Sequence, residues 1–289
     1  LLMVPADGNF ITSIAKGNHK QGEVQGQTRQ HALLLNLLGV KQMIVGVNKM
    51  DSDTAGYKEE RFNEIKNEVT SMLAKVGFKK DFIKDQIPVI PYSGWMGDNL
   101  IEKSKNMDWW KGCDVKILGK EPCHIDTILD ALEKMVKIPS RPTDKPMRVP
   151  ISGVYKIKGV GDVLTGRVEQ GLVKPNTEVV FLPTHTTANP CTGKVFTVEM
   201  HHKARPQAGP GDNVGMNIKG LPKGNPPHVG DIMILKTDDT LKKCKSFTAQ
   251  VKVLNHPGEL KPGYSPIAFV RTARSAVKMT KINWKVGKS

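Results

Sequence analysis

Residues 46–51 (Gly-Val-Asn-Lys-Met-Asp) place an amide, an ammonium and a carboxylate directly after the apolar run 42–47. We predict that this run is a strand, and ligands of open α/β sheets bind beyond the carboxyl ends of strands. The Asp51 carboxylate can accept hydrogen bonds from N1–H and the exocyclic amine of guanine, whereas adenine lacks this donor pair. Lys49 can cover the base with its aliphatic stem, and Asn48 can brace neighbouring loops. Alternatively, Asn48 and Asp51 cap the turn before a helix.

A second loop, Ser93-Gly94-Trp95, follows the next predicted strand, 87–91. The two loops are therefore expected to lie side by side at one edge of a sheet. A backbone N–H of this loop can donate to guanine O6, and Gly94 permits close approach of the backbone. Trp95 offers an aromatic surface near the base or ribose, or is simply a packing residue.

The elements around these loops alternate between apolar strands and amphipathic helices. Predicted strands are 1–6, 42–47 and 87–91, and predicted helices are 29–38, 57–76 and 126–136. Leucine and methionine at helical spacing are expected in the core, namely Leu34, Leu37 and Leu38 in one helix and Ile128, Leu129, Leu132 and Met135 in another. This order predicts a parallel sheet covered on both faces.

The pattern changes at residues 138–146, where three prolines in a polar run predict an interdomain linker. Short β-rich runs then follow without a helical stretch and predict a small antiparallel barrel: 149–157, 166–168, 178–182, 194–200 and 213–218. A further β segment is predicted at 247–254, 267–271 and 281–286. His201 and His202 are adjacent on a predicted strand and would point to opposite faces, which argues against a metal site.

Composition limits the classes of function. Forty-three Lys and Arg against 28 Asp and Glu give a formal charge of +15, which favours a polyanionic partner. The four cysteines are scattered, which is typical of reduced thiols in the cytosol. No apolar run reaches the length of a membrane span.

Several segments together resemble elongation factor 1-alpha. Residues 48–51 and 93–95 resemble its two guanine-reading motifs, 27–31 the helix after its second switch, and 141–146 its interdomain linker. Segments 166–171, 198–202 and 210–215 resemble its second-domain barrel, and 255–258 the start of its third domain. Segments 22–26, 181–190 and 269–275 are more similar to the elongation factor-like GTPases, a divergent sister group.

The resemblance implies an α/β plus all-β fold. The expected domains are the remainder of a P-loop-type GTPase domain (1–139), an antiparallel β-barrel (140–240) and a partial second β-barrel (241–289). It implies that Asn48, Lys49 and Asp51 bind the guanine of GTP or GDP, with Ser93, Gly94 and Trp95 completing the pocket. Arg167 and Glu169 match the region that holds the terminal adenosine of tRNA, although a cross-strand ion pair explains both equally well.

The resemblance further implies a cytoplasmic GTPase that delivers aminoacyl-tRNA to the ribosomal A site, with an exchange factor as a further partner and neither membrane nor DNA binding. The chain contains no G-x-x-x-x-G-K-[ST] phosphate loop, and no D-x-x-G switch precedes its first strand. In the family these motifs, with the Mg²⁺ ligands and the catalytic residue, precede the first strand, so the chain is expected to be an internal fragment, inactive alone, and no catalytic residue is assigned. Alternatives are a termination or ribosome-rescue GTPase and a non-catalytic RNA-binding module.

Overall fold

The computed structural model describes residues 1–18, 22–116, 121–253, 256 and 258–285. The chain divides into two compact units, Leu1–Ile138 and Pro139–Ser289.

The first unit is built on a parallel sheet of three strands in the order β1-β2-β3. These strands are β1 (Leu2–Pro5), β2 (Val45–Asn48) and β3 (Val89–Pro91). Pro5 lies opposite Asn48, and Val47 opposite Pro91, so all three strands end at the same edge. The predicted parallel sheet is confirmed, and its register brings the loops after the strands together.

Helices and one short hairpin complete this unit. The helices are α1 (Phe10–Ile14), α2 (Gln27–Leu37), α3 (Glu59–Val76), α4 (Lys80–Gln86) and α5 (Ile128–Asp130), which continues as a π-helical turn (Ala131–Met135). The hairpin pairs β4 (Cys113–Val115) with β5 (Cys123–Ile125). α3 buries one face and ends at Gly77, whose φ of 118° favours glycine. In the described part of the chain, no helix is long and apolar enough to cross a membrane.

The prediction that leucines of α2 lie in the core is wrong. Leu34, Leu37 and Leu38 are 54%, 53% and 77% exposed, whereas Thr28 and Ala32 are buried. These two small side chains, together with the partly buried Leu35, form the face of α2 that packs inward, where α2 contacts α1, α3 and β1. The three predicted leucines do not lie on this face, so leucine spacing alone did not identify it.

The last helix of the unit is also only partly as predicted. Ile128 and Met135 are buried, but Leu129 and Leu132 are exposed and Ala131 is buried instead. The buried residues 128, 131 and 135 keep the i, i+3, i+7 spacing of a helix. The inward face is therefore narrower than predicted, and Leu129 and Leu132 lie outside it.

The second unit contains a closed antiparallel barrel. Its strands are β6 (Val149–Ile157), β7 (Gly161–Arg167), β8 (Glu178–Leu182), β9 (Thr192–Met200), β11 (Asn213–Lys219) and β12 (Ile232–Leu235). They follow the order β9-β11-β7-β6-β12-β8, and β8 pairs again with β9, so the sheet closes on itself. A two-residue strand, β10 (Lys203–Ala204), pairs antiparallel with the end of β9. The predicted antiparallel barrel is confirmed; β12, which closes it, was missed.

The residues after the barrel form one hairpin in the described part of the chain, β13 (Ile267–Val270) with β14 (Ala273–Ala276). The strands predicted at 247–254 and 281–286 are wrong over 247–253 and 281–285, while Leu254 and residues 286–289 lie outside the described residues. An extended segment becomes a strand only with a hydrogen-bonded neighbour, and these two have none among the described residues. The partial second barrel stays a prediction.

Phe181 fills the barrel core at 0% exposure. We expect Phe181→Ala to lower the free energy of unfolding by about 3–5 kcal/mol, because a buried aromatic leaves a cavity. Phe196 is the matched control, since it is 56% exposed on the same barrel, and Phe196→Ala should cost less than about 1 kcal/mol. Urea denaturation followed by circular dichroism measures both. Equal losses for the two variants would contradict the assigned core.

Candidate nucleotide-binding site

Three loops meet where the parallel strands end. Asp7 follows β1, the segment 48–51 leaves β2, and Ser93 begins the loop that follows β3. Parallel pairing in register puts these loops at one edge of the sheet. This edge is where an open α/β sheet binds its ligand.

Asn48 joins the loops after β2 and β3. Its Oδ1 accepts one hydrogen bond from the backbone N–H of Lys49 at 2.8 Å and another from the backbone N–H of Gly94 at 2.9 Å. A Cβ atom on residue 94 would lie 3.3 Å from the same oxygen, so glycine is what permits the close approach. The bracing expected of Asn48 is thus present in the structure.

Lys49 is held by a residue that the sequence analysis missed. Its ammonium lies 2.7 Å from Oδ2 of Asp7, and its own φ of 66° turns the backbone sharply after β2. The hydrogen bond from Lys49 is the largest cause of the lowered pKa of Asp7. Arg61 donates to the backbone carbonyls of Ala6 and Asp7, which fixes the loop that carries the carboxylate. An acidic residue directly after an apolar strand was the available signal.

Asp51 has an unsatisfied oxygen. Its Oδ1 is buried and has no hydrogen-bond partner within the described structure. The capping alternative is wrong, because α3 starts after Lys58 and has no side-chain cap. A buried carboxylate oxygen without a donor is costly, so it is a strong indication of an external donor.

The loop after β3 combines a buried anchor with an exposed aromatic. Ser93 is fully buried, and its Oγ accepts the backbone N–H of Met96 at 3.0 Å. Trp95 is 90% exposed, so the alternative in which it packs against the protein is wrong. Its indole is therefore free to cover a flat ligand.

The barrel residues singled out from the sequence are not brought together as an ion pair. Glu169 lies 2.7 Å from Arg271, and Arg167, at the end of β7, has no ion pair within the described structure. The interpretation of Arg167 and Glu169 as a cross-strand ion pair is therefore wrong.

His201 and His202 occupy the turn between β9 and β10, with φ of 51° and 60°, and do not lie on a strand. The described residues contain no cluster of three or more His, Cys, Asp or Glu able to hold a metal.

Asn217 on β11 has incomplete hydrogen bonding that the sequence did not indicate. It donates through Nδ2 to the carbonyl of Val160 at 2.9 Å, while its Oδ1 is buried without a partner among the described residues. Lys219 donates to the same carbonyl at 3.1 Å, and its ammonium lies 5.2 Å from the ring centroid of Phe196. The register of β9 against β11 shifts beside Asn217, where Phe196 is exposed. We call Asn217, Lys219, Phe196 and Val160 the β11 cluster.

Comparisons with known proteins identify the family. The family model described as the elongation factor Tu GTP binding domain matches residues 7–138, and that of elongation factor Tu domain 2 matches residues 161–234. Elongation factor 1-alpha of Eimeria bovis is 46% identical over 280 residues, which cover 96% of this chain and 72% of that protein. The chain belongs to the elongation factor 1-alpha family.

Other relatives agree. Elongation factor 1-alpha of Blastocystis hominis is 47% identical over 257 residues, which cover 89% of this chain and 54% of that protein. The apo structure of translation elongation factor SelB from Methanococcus maripaludis has the same fold, with a TM-score of 0.59 and 19% identity over 97% of this chain and 52% of that one. The chain is thus that of a translation elongation factor, and its family is one of GTPases.

The Asp7–Lys49 pair can be tested by titration. We expect Lys49→Met to raise the pKa of Asp7 toward its ordinary value, because the hydrogen bond that lowers it is lost. A lowered pKa in the folded state stabilises the fold above the unfolded pKa, and this stability disappears as the pH falls through the folded pKa. The side-chain carboxyl carbon resonance of Asp7, followed by NMR against pH, gives the pKa of Asp7 in the unmodified chain and in Lys49→Met.

Lys105→Met is the control for this titration, since Lys105 is exposed and has no ion pair in the described structure. The pKa of Asp7 in the Lys105→Met variant should equal the pKa of Asp7 in the unmodified chain. The same Asp7 pKa in Lys49→Met would show that the two side chains do not interact in solution.

Proposed function

We propose that the whole protein binds GTP and GDP through Asn48, Lys49, Asp51, Ser93, Gly94 and Trp95, and delivers aminoacyl-tRNA to the ribosome in the cytoplasm. The observation that supports this proposal most directly is the buried, unpartnered Oδ1 of Asp51. GTP hydrolysis and Mg²⁺ binding are proposed for the whole protein only, because the chain spans 72% and 54% of the two elongation factors above.

Guanine fits the donors and acceptors of this edge better than adenine does. Asp51 needs donors, and guanine offers N1–H together with an exocyclic amine, whereas adenine would leave the carboxylate unpaired. The loop of Gly94 is fixed to Asn48, so its backbone N–H groups are held in place before the base arrives. Trp95 supplies an exposed ring, and Lys49 an aliphatic stem, for the two sides of the base.

The distribution of charge supports tRNA and ribosomal RNA as partners. Residues 241–289 contain eleven Lys and Arg and a single acidic residue, Glu259, which is a net +10 of the +15 of the chain. Exposed aromatic side chains lie among these charges, at Phe247, Phe269 and Trp284. Cations interleaved with aromatic rings suit a nucleic-acid backbone with accessible bases. An exchange factor belongs to the same proposal as a partner of the whole protein.

The β11 cluster is a candidate contact for an unpaired nucleotide of tRNA, alongside Arg167 and Glu169. Phe196 presents an exposed ring for stacking and Lys219 a cation for a phosphate, while Asn217 and Lys219 both hold the carbonyl of Val160. Unpaired bases of RNA are recognised by stacking on aromatic side chains. We prefer the β11 cluster to Glu169, because Glu169 is already paired with Arg271.

Base recognition is tested with Asp51→Asn in the full-length protein. We expect the affinity for GDP to fall about tenfold or more, because hydrogen bonds to a charged group are lost, and that for xanthosine diphosphate to rise. Competition against a fluorescent guanine nucleotide measures both, with the exposed Asp53→Asn as control. Unchanged guanine preference would contradict the site, and unchanged translation activity would favour the RNA-binding module.

The β11 cluster is tested with Phe196→Ala in the full-length protein. We expect affinity for aminoacyl-tRNA to fall roughly tenfold, in line with the loss of one base stacking contact. Val229→Ala is the control, since Val229 is an apolar side chain of similar exposure in the same unit. Protection of the aminoacyl ester from hydrolysis measures binding, and its absence in the unmodified protein would favour a termination or rescue GTPase.

A further inference from the structure

We propose that Asp98 and Tyr57 are positioning residues that set the spacing of the two base-binding loops and thereby the selectivity for guanine. This inference rests on the proposed function. Both residues lie outside the set proposed to bind the base, and they meet in a cluster of hydrogen bonds centred on one carboxylate.

Asp98 collects three side-chain donors. Its Oδ2 accepts the hydroxyl of Tyr57 at 2.9 Å, and its Oδ1 accepts the hydroxyl of Ser104 at 2.6 Å and Nδ2 of Asn106 at 3.2 Å. We call these four residues the Asp98 cluster. Hydrogen bonds to an ionised acceptor are shorter and stronger than neutral ones, so the cluster fixes Asp98 firmly.

The backbone of Asp98 is part of the base-binding loop. Its carbonyl accepts the backbone N–H of Ser93 at 3.1 Å, so the carboxylate and the start of the loop are held by one residue. The next residue, Asn99, is fully buried; it donates to the carbonyl of Pro91 and accepts from the N–H of Ser104. The loop after β3 is therefore fixed by hydrogen bonds at both of its ends, next to the Asp98 cluster.

Tyr57 connects the same carboxylate to the loop that carries Asp51. Its backbone N–H donates to the carbonyl of Met50 at 2.8 Å, one residue before Asp51. Its carbonyl accepts the indole N–H of Trp109 at 2.8 Å, and its φ of 57° aims the side chain away from the usual strand or helix direction. Desolvation and the hydrogen bond to Asp98 raise the pKa of Tyr57 to about 12, so the hydroxyl remains a donor throughout the physiological range.

The two loops are thus joined near the strand ends and again beyond them. Near the strand ends, Asn48 accepts from Gly94, and the backbone N–H of Met50 donates to the carbonyl of Tyr92 at 3.3 Å. The Tyr57–Asp98 hydrogen bond is the outer link, beyond the residues that face the base. Without the outer link, only the bonds near the strand ends would set the distance between Asp51 and the backbone of Gly94. The exocyclic amine of guanine is the group most affected, since Asp51 is the residue assigned to it. Loss of the outer link should therefore reduce selectivity as well as affinity.

The test uses Tyr57→Phe and Asp98→Asn in the full-length protein. Tyr57→Phe removes one hydroxyl, and Asp98→Asn keeps the shape while replacing one acceptor oxygen with a donor. We expect each to raise the dissociation rate of GDP about tenfold, comparable with losing one hydrogen bond to a charged group. The preference for GDP over inosine diphosphate, which lacks the exocyclic amine, should fall as well. The double variant should resemble Asp98→Asn alone, because the two residues act as one link.

The control is Tyr155→Phe, since Tyr155 is exposed on the barrel and its hydroxyl has no hydrogen bond in the described structure. It should leave both the rate and the preference unchanged. The inference would be overturned if Tyr57→Phe and Asp98→Asn lowered the melting temperature but left GDP dissociation and the preference for GDP unchanged. The cluster would then stabilise the fold only. An unmodified protein that binds GDP no better than ADP would instead refute the proposed function.

Discussion

The parallel register of β1, β2 and β3 is the constraint on which the candidate site depends. It places Asp7, Asn48 and Ser93 at the same edge although they are distant in sequence. The hydrogen bond from the backbone N–H of Gly94 to Asn48 then joins the loops after β2 and β3. The salt bridge of Lys49 and the exposed ring of Trp95 belong to one site only because the strand register brings their loops to the same edge.

The main architecture could be predicted because local patterns agree with it. Apolar runs of strand length, interrupted by an amphipathic helix, predict the sheet of the first unit, and short β runs between glycines and prolines predict the barrel. The placement of the candidate site residues at the sheet edge could be predicted as well, because Asn48, Lys49 and Asp51 follow their strand directly. What they bind remains our proposal.

The rest depends on contacts that one sequence does not reveal. The inward face of α2 carries Thr28 and Ala32 beside Leu35, whereas the leucines predicted to face the core are exposed. Asp98 and Asn217 look like ordinary loop and strand polar residues until their partners, or the absence of a partner among the described residues, are seen. Tertiary geometry, not local preference, gives these positions their importance.

The closed barrel also has a consequence for synthesis. β12 is the last barrel strand in the sequence, yet it lies between β6, the first, and β8. Before β12 has emerged from the ribosome, the barrel strands form an open sheet with two unpaired edge strands. Such edges can pair with other chains. Because this closure joins distant segments, it is slow compared with local hairpin formation. The interval before β12 emerges is therefore when the chain most needs chaperone protection.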